Sequence, residues 1–245
     1  MKVNHSFLAT INPSCKLFSH VLVMLLLMVI TDVKVTFLIW FLAVLIGLFL
    51  GGWTISYLLK RLCPFFGIFI LIFWMMAAFG KGQETIWQWA WFHVTQESIN
   101  HGLTIAFRML AFVTYGLLFT STTDLTLFIM SLIHQCKLSP KWAYGLLAGI
   151  RLIPLFQSEL NQLKMAHKVR GYKEKNGWKM FLSYAVPMFT QGIRKSERIA
   201  IAMEARGFSR AKNRTYYRTT KVALRDGGYL VSILAIVIVM IIIFH

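Results

Sequence analysis

Five apolar runs separated by short polar stretches constrain this chain more than any other feature. They cover residues 17–30, 35–50, 65–79, 103–120 and 229–244. A segment with no water to bond must satisfy its backbone internally, so runs of this length and composition read as membrane-spanning helices. A mean hydropathy of +0.62 and an apolar share of 57% exclude an ordinary soluble domain. The expected fold is therefore an all-α polytopic membrane protein with about five transmembrane helices.

The breaks carry their own signals. Thr31-Asp32-Val33-Lys34 reads as a tight turn that makes the first two runs an antiparallel hairpin, and Gly51-Gly52 ends the second. Lys60-Arg61 falls on a short connector, with Pro64 opening the third run where first-turn amides lack partners. Residues 80–100 read as a polar-aromatic loop whose Trp87, Trp89 and Trp91 suit the membrane–water boundary. Thr122-Thr123-Asp124 offers N-cap oxygens to a short apolar helix over 125–134. Cys15, Cys63 and Cys136 show no C-x-x-C spacing and read as packing residues. The amino end lacks the pattern of a removable signal peptide.

Charge sets the expected orientation. Residues 137–225 hold 19 of the 26 Lys and Arg against four Glu, which accounts for +15 of the net +17. That segment belongs in the cytoplasm by the positive-inside rule. The short loops alternate consistently back to Lys2 and Lys16, placing the amino end inside and the carboxyl end outside the cell membrane. Within this basic segment, residues 139–208 carry two long amphipathic helix patterns. The first opens with Ser139 as N-cap and Pro140 at N1, and repeats apolar or small residues from Trp142 to Leu163 at spacings of three or four. Pro154 is expected to kink or divide it. It closes on Val169-Arg170-Gly171. The second carries its stripe from Phe181 to Met203 and closes on Ala205-Arg206-Gly207. Gly192, Ser196 and Ala200, spaced by four, form a small-residue seam where another helix crosses closely. One Arg-Gly ending is ordinary, because a cation near a helix carboxyl end gains about 0.3–1 kcal/mol from the macrodipole. Two on consecutive amphipathic helices point to a docking device.

These features resemble the transmembrane T component of energy-coupling factor (ECF) transporters, the EcfT/CbiQ-like family of the ATP-binding-cassette class. Asn12-Pro13-Ser14-Cys15-Lys16-Leu17 is similar to the family's opening Asp/Asn-Pro-x-x-Lys-Leu. Arg151-Leu152-Ile153-Pro154-Leu155 follows in order, and Val169-Arg170-Gly171 and Ala202–Phe208 resemble the paired x-Arg-x motifs, with Val169 where Ala is common. The resemblance implies crossed cytoplasmic coupling helices whose arginines, here Arg170 and Arg206, seat in grooves of two ATPase subunits, identical or not. It further implies one substrate-binding S component in the membrane and uptake of a vitamin, a precursor or a trace metal such as cobalt or nickel. ATP and magnesium would then belong to the partner subunits, since no G-x-x-x-x-G-K-[ST] loop is present, and the chain itself needs no cofactor and holds no metal. The corresponding division is 1–123 for the first four spans, 124–209 for the coupling helices and 210–245 for a basic connector and the last span.

Other residues admit other functions. Arg108 lies inside an apolar run, where a charge is costly and often functional; it pairs within the bundle or snorkels to the interface. His93, Glu97 and His101 are spaced by four and would share one helix face in a membrane-embedded enzyme. The basic run 210–225, with Tyr216 and Tyr217, superficially suits nucleic acid, although beside a span it fits anionic lipid better.

Overall fold

The computed structural model describes residues 6–79, 85–89, 92–171, 177–208, 216 and 219–244, with the backbone alone at 85–89 and 92–94. The protein is an all-α polytopic membrane protein. Its helices are α1 (Phe7–Thr10), α2 (Pro13–Val29), α3 (Val33–Phe49), α4 (Ile55–Phe79), α5 (Gln96–Thr122), α6 (Leu125–Gln135), α7 (Pro140–Val169), α8 (Gly177–Ala205) and α9 (Leu224–Phe244). A short antiparallel pair, β1 (Thr85–Trp89) and β2 (Phe92–Thr95), precedes α5. The chain forms two compact units, one made of Met1–Ser131 with Thr220–His245, the other of Leu132–Thr219.

In the first unit α4, α5 and α9 have 25, 27 and 21 residues and are long and apolar enough to cross a membrane. The apolar helices α2 and α3 have 17 residues each. At 1.5 Å per residue that is about 26 Å, the lower limit for a hydrocarbon core of about 30 Å. Helix α5 packs against α2, α3 and α4, and α9 packs against α2 and α3. The buried residues repeat at helical spacing: Val23 and Leu27; Val35, Ile39, Ala43 and Ile46; Ala111, Tyr115 and Leu118; Ile233 and Val237. Each helix thus turns one stripe inward and leaves its other apolar faces to lipid.

Several local expectations change. Helices α2 and α3 are joined by the short break at 30–32, and their main packing partners are α5 and α9. Lys60 and Arg61 are helical, and Pro64 lies inside α4 instead of opening it. A proline removes one backbone hydrogen bond, and the surrounding apolar helix continues through it. The stretch before α5 pairs as strands. That places His93 on β2 and Glu97 and His101 on α5, so the three do not share one helix face as the enzyme reading requires. Asp124 caps α6 as expected, accepting from the amides of Thr126 at 2.7 Å and Leu127 at 3.1 Å.

Candidate docking site

The second unit is built on α7 and α8, of 30 and 29 residues, each about 44–45 Å long at helical rise. Pro154 and Pro187 lie inside them, and neither divides its helix. Ser139 stands at the N-cap of α7 without a side-chain cap bond; its carbonyl receives the Ala143 amide at 3.2 Å. The two helices meet in opposite directions. The Phe156 ring lies 3.1 Å from where a Cβ on Gly192 would sit. Glu159 forms an ion pair with Lys195, and the His167 and Tyr184 rings stack at 4.9 Å.

Of the small-residue seam, Gly192 is the member that touches α7. Ser196 lies at the rim of a groove with Leu152 and Phe156, its hydroxyl donating to the Ile193 carbonyl at 2.8 Å, and Ala200 on the same face is exposed. The groove, about 510 Å³, is lined by Phe181, Met188, Phe189 and Ile193 as well. Phe181, Phe189 and Ile193 remain 60–72% exposed, so the groove presents uncovered apolar side chains.

Both helices end on the same geometry. Val169 and Ala205 are the last helical residues, and Arg170 and Arg206 follow in the cap position. Gly171 and Gly207 have φ of +65° and +78°, the left-handed region that glycine enters without a Cβ clash. At α8 the closure is a full Schellman pair: the Gly207 amide donates to the Glu204 carbonyl at 2.8 Å and the Phe208 amide to the Met203 carbonyl at 3.0 Å. At α7 the Gly171 amide donates to the Lys168 carbonyl at 3.2 Å. Both arginines are exposed; their backbone amides donate to the Ala166 and Ala202 carbonyls, and among the described residues neither guanidinium has a hydrogen-bond or ion-pair partner.

In the membrane unit Arg108, Lys16 and Asp226 are spent on helix ends. Arg108 of α5 donates to the Ile30 carbonyl at 2.6 Å, and Thr104 donates to the Thr31 carbonyl at 3.0 Å, so α5 closes the carboxyl end of α2. That identifies Arg108 as bundle-paired. The reciprocal device is Lys16 of α2. Fully buried, its Nζ donates to the carbonyl and hydroxyl of Thr122 at 3.3 and 3.2 Å, at the carboxyl end of α5. Asp226 serves two amino ends at once. One carboxylate oxygen accepts from the Ala223 amide at 2.8 Å, the reach-back of an N3 acid in a capping box, and the other from the Asn12 amide at 2.8 Å, at the start of α2. Asn12 in turn accepts from the Ser14 amide and donates from its Nδ2 to the Lys221 carbonyl. The hydroxyls of Ser14 and Ser131 share a hydrogen bond of 2.6 Å. The node therefore ties together the points where the chain leaves this unit, after Ser131, and re-enters it at Thr220.

From the sequence alone Asp226, directly before the last span, reads as the cap of that helix or as a partner of Arg225; the cap is present, whereas its bond to Asn12 and the buried His20–Tyr229 hydrogen bond of 3.0 Å were not found. The available signal was a charge at the edge of an apolar run, the criterion that singled out Arg108 and applies equally to Lys16.

Comparison with known proteins places this architecture. The family model of CbiQ, described as a cobalt transport protein, matches residues 4–217. Similar proteins include the energy-coupling factor transporter transmembrane protein EcfT of Staphylococcus aureus, 29% identical over 248 residues, which cover 96% of this chain and 92% of that protein. The EcfT of Brevibacillus brevis is 28% identical over 97% of this chain and 93% of its own. That of Lactococcus lactis subsp. cremoris is 30% identical over 80% of this chain and 79% of its own. A match through the membrane helices and both arginine-ended helices, at this coverage, shows that the chain belongs to the CbiQ/EcfT family, the transmembrane components of energy-coupling factor transporters.

Proposed function

We propose that this chain is the coupling scaffold of an importer in the cell membrane, carrying the motion of two ATPase subunits to a substrate-binding membrane subunit. The observation that carries the proposal is the pair of exposed arginines, each held at the tip of a helix about 45 Å long by a left-handed glycine. Val169, Arg170 and Gly171 form one ATPase-docking element, and Ala205, Arg206 and Gly207 the other. A guanidinium keeps its charge when desolvated and bonds a carboxylate or several carbonyls through a planar fork, which suits insertion into an acidic groove. Stiff helices convert a shift of two docked tips into a shift of the helix pair, and the uncovered α7–α8 groove offers the substrate-binding subunit an apolar surface to follow it.

The basic segment faces the cytoplasm, with the amino end inside and the carboxyl end outside. The chain itself carries no catalytic residue and needs no cofactor. ATP and magnesium are handled by the partner ATPases, and the choice among vitamin, precursor or metal rests with the substrate-binding subunit. The test is a pull-down of the ATPases with Arg170→Glu, Arg206→Glu and the double variant. Loss of a buried charge contact costs about 2–5 kcal/mol. Each single change should impair uptake, and the double change should release both ATPases because no second anchor remains. Lysine should rescue in part, keeping the charge and losing the fork. Wild-type retention of the ATPases by the folded double variant would refute the docking role.

A further inference from the structure

A second concavity lies within the membrane unit, between α3 and α9. It measures about 490 Å³ and is walled by Leu42, Leu45 and Phe49 from α3 and by Ser232, Ile233 and Ile236 from α9. Its lining is mostly apolar, with the Ser232 hydroxyl along the wall and Arg225, at the start of α9, as the one charged lining residue. Arg225 is exposed and has no acidic or hydrogen-bonding partner among the described residues. Neighbouring Asp226 forms no ion pair with it: both of its carboxylate oxygens are engaged with the Asn12 and Ala223 amides, and it does not line the groove. Gly228 also lines the groove, and a Cβ there would meet nothing within 4 Å, so the wall is open beside the arginine.

We infer that this groove binds one anionic phospholipid of the inner leaflet, its phosphate on Arg225 and an acyl chain laid between α3 and α9. Three features favour that occupant. From Arg225 to Ile236 the groove follows twelve residues of helix, eleven steps or about 16 Å at helical rise, which is the depth of one leaflet of a core about 30 Å thick. The single cation stands at the end where α9 begins, and the chain there continues from the basic run that also contains Lys221. Basic groups between spans at the cytoplasmic face are the usual recognition element for anionic headgroups. A spanning helix from another subunit would instead have to bury an unpaired guanidinium.

The experiment uses the full chain, purified in mild detergent and titrated with mixed phosphatidylglycerol and phosphatidylcholine, with retained lipid counted by native mass spectrometry. Wild type should retain one phosphatidylglycerol in preference to phosphatidylcholine. Arg225→Gln should lower that preference about fivefold, the worth of one basic residue at an anionic surface, and Arg225→Lys should largely restore it. Gly228→Leu, which adds bulk into open space while leaving the charge, should displace the lipid as well. An unchanged preference in Arg225→Gln would overturn the proposal. So would loss in Arg225→Gln with full retention in Gly228→Leu, which would show a surface charge effect outside the groove. A photo-crosslinker at Ser232 in the membrane should yield a lipid adduct; a protein adduct would overturn the assignment in favour of a partner helix.

Discussion

Replacing Asp226 is the most demanding test of how the membrane unit is held together. Its carboxylate is 3% exposed and accepts two backbone hydrogen bonds of 2.8 Å, one from the cap of α9 and one from the cap of α2. Hydrogen bonds to a charged group contribute about 1.5–3 kcal/mol each, and an orphaned buried donor costs a comparable amount. Asp226→Ala leaves the Ala223 and Asn12 amides unpaired, so the expected loss is about 3–6 kcal/mol. The carboxylate also attracts the buried Lys16 ammonium, whose remaining partners are the neutral oxygens of Thr122 and Thr123, so its removal weakens that contact too. Asp226→Asn keeps one acceptor and should lose about half. For a chain of this size each kcal/mol moves the thermal midpoint by about 2–4 °C, so Asp226→Ala should melt at least 6 °C lower by size-exclusion of heated, detergent-solubilised protein. Arg225→Gln, one residue away and exposed, is the matched control and should leave the midpoint within about 1 °C. The Lys16→Met change should be destabilising alone and non-additive with Asp226→Ala, because both act in one node. A midpoint for Asp226→Ala equal to that of the control would refute the claim that one carboxylate holds two helix ends.

Two further substitutions probe the helix contacts. Gly192→Leu drives side-chain atoms into the Phe156 ring, already 3.1 Å from the first added carbon; it should weaken the α7–α8 pair by about 1–3 kcal/mol, read as faster proteolysis between the two helices, and wild-type resistance would show that Gly192 does not mark the crossing. Arg108→Met removes the 2.6 Å bond that closes α2 and should lower the thermal midpoint by an amount corresponding to about 1–3 kcal/mol, with Arg108→Lys intermediate. An unchanged midpoint would return Arg108 to the role of a snorkelling side chain.

The fold was legible where one residue type decides one outcome. Runs such as 229–244 can only be helices in lipid, and Gly171 and Gly207 announce a left-handed turn after a helical stripe. Legibility failed where the outcome depends on a partner distant in sequence. Asp226 reads locally as a cap for the last helix, which it is, but its second bond reaches Asn12, 214 residues away. Nothing in the local pattern of 31–34 reveals that α2 and α3 prefer α5 and α9 to each other, because apolar faces in lipid have no hydrophobic reason to choose a neighbour and packing detail decides. Pro64 was misplaced for a related reason. The turn signal of a Lys-Arg pair before a proline is weaker than the need of a membrane segment to keep its remaining backbone bonds paired.

The membrane unit also sharpens the reading of the two arginines. Cations at helix carboxyl ends occur there in their satisfied form: Lys16 bonds the end of α5, and Arg108 bonds the end of α2. Arg170 and Arg206 occupy the same kind of position, and their guanidinium groups bond none of the described carbonyls. At α8 the reason is visible, because the amides of Gly207 and Phe208 already close the Glu204 and Met203 carbonyls. What remains for Arg206 as a purely structural residue is a screened attraction to the helix dipole, about 0.3–1 kcal/mol at an exposed site, which lysine would supply equally well. A fork-shaped donor held on a rigid tip, with its own helix end sealed by the backbone, is more than that task requires. The bland account therefore predicts that lysine equals arginine at both positions, and docking predicts that it falls short.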